Sequence, residues 1–117
     1  MGVVVMAGCA RKAEEVVEEG EKSVQSWNKT LEMACRQWAE DRVPTLYLKQ
    51  MMKAGEEELD KQLQQLQKVG SDQNAQRVVK KMQRLRSWLE QNQEQLSKAD
   101  GPKRHQILAT LPREGEG

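Results

Sequence analysis

Apolar residues recur at steps of three and four through three long stretches of this chain. That spacing places them on one face only if each stretch is an α-helix. The first stripe is Val24, Trp27, Leu31, Ala34 and Trp38, preceded by Val17 and flanked by Cys35 and Ala39. The second is Leu48, Met52, Gly55, Leu59, Leu63 and Leu66. The third and most regular is Ala75, Val78, Met82, Leu85, Leu89, Asn92 and Leu96, with Trp88 beside it at the expected edge of the core. Three prolines in 117 residues, with heavy use of Glu, Lys, Gln, Arg, Leu and Met, favour helix throughout.

The breaks between stripes are local chemistry. Pro44 lacks a donor and disfavours helix in the residue before it, so the first segment stops there. The second starts at Pro44 as a first-turn residue or at Thr45 as N-cap. Gly55 costs about 1 kcal/mol against alanine inside a helix, and its place on the stripe predicts close approach to one of the tryptophans. Gly70 closes the second helix and Ser71 or Asp72 caps the third, a link short enough to make these helices antiparallel neighbours. Asp100, Gly101 and Pro102 end the third segment. Asn92, the single polar residue on its seam, reads as the place where the seam frays to solvent.

Three segments of similar length with short links predict an all-α, antiparallel up-down-up three-helix bundle. The alternative is a helical hairpin or coiled coil that completes its core by dimerising. Gly20 interrupts the charged run Glu18, Glu19, Glu21, which predicts that residues 10–22 form a looser charged spacer before a packed module at 23–100. Residues 101–117 read as a basic-apolar tail containing Lys103, Arg104, His105, Ile107, Leu108 and Leu111. A segment this short is expected to dock on its own bundle, with the Glu/Gly end disordered. With 37% hydrophobic residues and no Phe, the chain can fill a thin helical core but not line a deep pocket.

The amino-terminal segment has a different character. Val3, Val4, Val5, Met6, Ala7 and Gly8 form an apolar run that ends at Cys9, and no charge appears before Arg11. An aliphatic residue, two small residues and a cysteine, here Met6, Ala7, Gly8 and Cys9, resemble the cleavage and lipidation signal of bacterial lipoproteins. The resemblance covers Val3 to about Ala10. It implies that the Cys9 sulfur carries a diacylglyceryl group, that the preceding peptide is removed, and that the protein faces the periplasm or cell exterior on a lipid anchor. Residue 10 is Ala, where the enteric inner-membrane retention signal has Asp. A secretory signal has a positive n-region and roughly 7–15 apolar residues, and a start codon assigned too far downstream would account for the shorter segment here. Met6 stands where N-myristoylation at Gly2 requires Ser or Thr.

Candidate chemistry is sparse. His105 is the only histidine and has no Cys, Asp or Glu at ligand spacing, so no metal site is expected. Cys35, beside Ala34 and Trp38, reads as a small buried hydrophobe, and 26 residues of helix separate it from Cys9 at ~1.5 Å each, too far for a disulfide. The acidic runs Glu14–Glu15–Glu18–Glu19 and Glu56–Glu57–Glu58–Asp60 lack the glycine-containing loop of a calcium site. No glycine loop for phosphate and no Ser/His/Asp arrangement is present. These absences predict a non-catalytic protein without a cofactor.

One constellation suggests binding. Arg77, Lys80, Lys81 and Arg84 lie along one ridge of the third segment, a candidate anion-binding ridge for phosphates or lipid headgroups. Residues 71–100 carry six basic and four acidic residues, net +2, whereas residues 1–45 carry six basic and eight acidic, net −2. The competing expectation is a solvated face paired with acids of the first segment, Glu32 or Glu21. With a total charge of +1 and few aromatics for base stacking, nucleic acid is disfavoured as a partner. The sequence therefore predicts a small lipid-anchored helical binding or scaffolding protein of the bacterial envelope, held on the membrane through Cys9 and meeting a protein partner through a helix face. The alternative is a cytoplasmic coiled-coil module that self-associates.

Overall fold

The computed structural model describes the backbone of residues 2–69 and 73–112 and the side chains of 13–69 and 73–112. Three long helices, α1 (Gly2–Ala39), α2 (Thr45–Lys68) and α3 (Gln73–Gln93), each pack against the other two. A 3-10 turn (Leu96–Lys98) follows, and then a short helix α4 (Gly101–Ala109). The fold is the expected all-α bundle with one helix added.

The stripes set the packing. The buried residues of α2 are Leu48, Met52, Gly55, Leu59, Leu63 and Leu66, the predicted set without change. Those of α3 are the predicted stripe within the helix plus Trp88, which is part of the core and not its edge. Cross-helix pairs give the order: Glu21 on α1 meets Lys81 on α3, Trp27 on α1 meets Gly55 on α2, and Asp60 on α2 meets Arg86 on α3. Trp38, at the end of α1, reaches Thr45 at the start of α2. Thus α2 runs against α1, and α3 runs with it. Each of the fully buried Leu and Met side chains at this centre (Leu31, Leu48, Met52, Leu59, Leu66, Met82, Leu85, Leu89) contributes about 1.5–3 kcal/mol of burial.

Gly20 does not loosen α1. The helix runs through it, and a Cβ there would stand 3.1 Å from Met82 Cε, 3.2 Å from Val78 Cγ1 and 3.3 Å from Leu66 Cδ1. Val16 and Val17 pack on the same core. The expected spacer is therefore bundle from at least residue 16 onward, because glycine here permits close approach of three helices instead of breaking one. Gly55 acts in the predicted way: its missing Cβ would lie 3.1 Å from Cε3 of the Trp27 ring.

The end of α1 is a Schellman cap. The N–H of Arg42 donates to Gln37 O at 2.8 Å and that of Asp41 to Trp38 O at 3.0 Å, with Asp41 in the left-handed region at φ 61°. Pro44 is the N-cap residue of α2 and makes no side-chain cap. Thr45 is helical and is not the cap, since its hydroxyl instead accepts the Trp38 indole N–H at 3.0 Å. The caps expected at Gly70, Ser71 and Asp72 lie outside the described residues.

At the far end of α3, Asn92 is buried, not frayed, and its amide donates to the Trp88 carbonyl at 2.7 Å. Asp100, Gly101 and Pro102 end one element and start another. The Asp100 carboxylate accepts the Lys103 N–H at 3.2 Å as a side-chain N-cap, and Pro102 fits the first turn, which has no use for its missing donor. Residues 101–112 therefore dock as a helix and cap, burying Ile107 and Leu111, and docking of this segment was the expectation. The disorder expected of its end falls on residues 113–117, outside the described residues.

Candidate functional site

The proposed anchor lies on the first turns of α1. Helical backbone runs from Gly2 without a break past Cys9, whose side chain lies outside the described residues. Since one helix holds both cysteines, Cys9 and Cys35 are separated by about 39 Å of rise, which rules out a bridge between them. Among the described residues no helix is long and apolar enough to cross a membrane.

The basic ridge divides into an interface residue and a solvent-facing side. Lys81 is half-buried and donates to Glu21 Oε1 at 3.0 Å, one of the two pairings expected with the first segment. The other acid, Glu32, accepts instead from Arg36 one turn along its own helix. Arg77 is exposed and its guanidinium reaches Asn74 Oδ1 at 3.4 Å. Lys80 and Arg84 are also exposed. The four residues share one helix, but Lys81 belongs to the α1–α3 interface and leaves Arg77, Lys80 and Arg84 as its solvent side. An opening of about 440 Å³ lies beside this end, lined by Ala13, Val17, Glu21, Val69, Ala75 and Arg77 among others.

Cys35 is fully buried, and burial pushes its thiol up to about 12. At neutral pH it is a protonated thiol with no nucleophilic character. No group of three or more His, Cys, Asp or Glu among the described residues could hold a metal ion.

The most developed cluster of specific contacts is one that sequence reasoning did not single out. Arg104, on α4, lays its guanidinium 4.7 Å from the centroid of the Trp38 ring. From there it donates to Trp38 O at 3.0 Å, to Asp41 Oδ1 at 2.7 Å and to Ala99 O at 3.2 Å. One side chain thus combines a cation–π contact, the carbonyl of a helix end and the carboxylate held in the left-handed cap position. At the other end of α4, Thr110 accepts the Trp88 indole N–H at 3.0 Å and donates its own proton to Ile107 O at 2.8 Å. Beyond it, the Asn28 amide donates to Pro112 O at 2.6 Å.

These three anchor points, together with Ile107, Leu108 and Leu111, seat residues 101–112 on α1 and on Trp88 of α3. A small cleft of about 190 Å³ remains between Glu32 and Arg36 of α1, His105 and Leu108 of α4, and Leu111 just beyond it. His105 is exposed at its rim. The clue available in the sequence was Asp100-Gly101-Pro102, a cap followed by a first-turn proline.

No family model, no curated protein and no solved structure matches this chain.

Proposed function

We propose that this chain is a small lipid-anchored, non-catalytic helical module of the bacterial cell envelope, which binds or scaffolds a protein partner. The observation that carries the reading is Met6-Ala7-Gly8-Cys9 at the end of an uncharged apolar run. A single acyl chain gives only marginal membrane binding at about 0.8 kcal/mol per buried methylene, so the diacylglyceryl and amide-linked chains implied for Cys9 are what a durable anchor needs.

The bundle supports this reading in two ways. Its apolar stripes are used within the chain, so a second copy is not required to complete the core. Its buried thiol is protonated at neutral pH and inert, which suits binding better than turnover. The alternative of a self-associating cytoplasmic module would place its interface on residues other than those stripes.

The test is metabolic labelling with an alkyne fatty acid in bacteria expressing the protein from its native locus, beside a Cys9→Ser variant. The reading predicts a labelled, membrane-associated protein and an unlabelled variant released from the membrane fraction. Equal, unlabelled distribution of both proteins would remove it.

A further inference from the structure

We propose that α4 is a displaceable strap, and that the face of α1 and α3 beneath it is a groove for an amphipathic helix of a partner protein. This rests on the reading of the chain as a binding module and names its binding surface.

The face under α4 carries polar groups of the long helices α1 and α3 whose partners all lie on residues 104–112. The Trp88 indole N–H, the Asn28 amide and the Trp38 carbonyl each point out of the three-helix core to an atom on residues 104–112. Between them, Ile107 on the last turn of α4 and Leu111 just past its C-cap fill the apolar centre. Tryptophan in a desolvated pocket with satisfied polar neighbours is the usual composition of an interface centre.

The occupant is weakly self-supporting. α4 has 9 residues, below the ~12–15 at which isolated helices become even marginally stable. It packs chiefly on α1, and it begins at Gly101, where an added Cβ would meet nothing within 4 Å. The groove therefore specifies its ligand: an aliphatic side chain on the last turn of a helix, a second just past its C-cap, a guanidinium one turn before them over Trp38, and a hydroxyl at the C-cap for Trp88. A longer partner helix with that pattern satisfies the same groups and adds contacts that α4 lacks. Its apparent affinity is set by how often the tethered α4 leaves.

The tryptophans provide the test. Trp38 and Trp88 lie under α4, whereas Trp27 faces Gly55 on α2. The full-length protein, in its native sequence and as an Arg104→Ala variant, each labelled with nitrogen-15, is titrated with a synthetic peptide of native residues 99–112. Thr110→Val is the second variant, for use if Arg104→Ala lowers helix content. The groove predicts saturable shifts of the Trp38 and Trp88 indole resonances with Trp27 unmoved. It also predicts binding at least about tenfold tighter in the variant, whose tethered competitor is weakened.

Absence of saturable binding to either protein would overturn the proposal, as would equal movement of all three indoles. A concentration-dependent dimer of the variant with α4 exchanged between copies would assign the groove to self-association and overturn the partner reading. None of these outcomes touches the fatty-acid labelling of Cys9, so loss of the groove and loss of the anchor are distinguishable.

Discussion

Where α2 ends and α3 begins, the bundle is closed by a missing side chain: Gly20 lets Met82, Val78 and Leu66 come down on α1. At the opposite end closure depends on added groups, with Arg104 spanning Trp38 and Asp41, Thr45 holding the Trp38 indole and Thr110 holding that of Trp88. The first kind of closure is non-directional and fails only when volume changes. The second is directional, is shared between the core and a short helix, and can come undone without unfolding the three long helices. A bundle built this way has one end that is simply core and one end that can be opened.

The largest expected effect lies at the first end. Met82→Ala removes a fully buried side chain that contacts the Gly20 position, and urea unfolding followed by helical circular dichroism should show a loss of about 2–5 kcal/mol. A loss below 1 kcal/mol would mean that this end repacks freely and the contrast with the other end is false.

The two core glycines sharpen the comparison. Gly55→Ala sets a methyl 3.1 Å from a rigid indole ring, and despite a helix-propensity gain of about 1 kcal/mol it should destabilise by about 1–2 kcal/mol. Gly20→Ala meets the mobile tips of Met82, Val78 and Leu66, so gain and crowding should nearly cancel, to within about 0.5 kcal/mol. The two urea midpoints decide between them, and the reverse order would show that the α1–α2 contact is the softer one.

Cys35 adds a pH dependence. Its thiol is raised in the folded state to about 12, from 9.0. The folded protein therefore holds this proton longer than the unfolded chain does. The stabilisation is complete below about 9 and is lost as pH rises from there through about 12. Against a Cys35→Ala control, the wild type should lose about 1 kcal/mol between neutral pH and pH 10 in urea titrations. Parallel curves for the two proteins would mean that the thiol meets water.

The smallest effect tests the directional end. Asp41→Asn keeps a residue tolerant of φ 61° but removes the charge beneath Arg104. Because Asp41 is largely exposed, the change should be worth only a few tenths of a kcal/mol. A larger loss would move the weight of the α4 latch from the Trp38 carbonyl and ring to the ion pair.

The bundle was legible where period alone decides. The stripes of α2 and α3 are read directly from steps of three and four, and Gly55 announced a tryptophan because a glycine on a stripe otherwise costs stability without return. Gly20 reads as a break because it stands in a charged run, while its three close neighbours come from residues 66 to 82, on other helices. α4 reads as a tail because one acidic cap and one proline serve equally as a stop for α3 and a start for the next helix. Arg104 could not be found from local pattern, since its partners Asp41 and Trp38 lie 63 and 66 residues away. The pairing of Lys81 with Glu21 was within reach, because facing helices of unlike charge leave few choices.

The measurement that bears most directly on the contrast between the two ends is site-resolved hydrogen exchange on the intact protein. If α4 is a separable strap on a cooperative three-helix core, the Ile107 and Leu108 amides will exchange at least about tenfold faster than those of Val24, Val78 and Leu85, which will share one rate set by global unfolding. Equal protection of all five amides would make α4 a fixed part of the core and contradict the account.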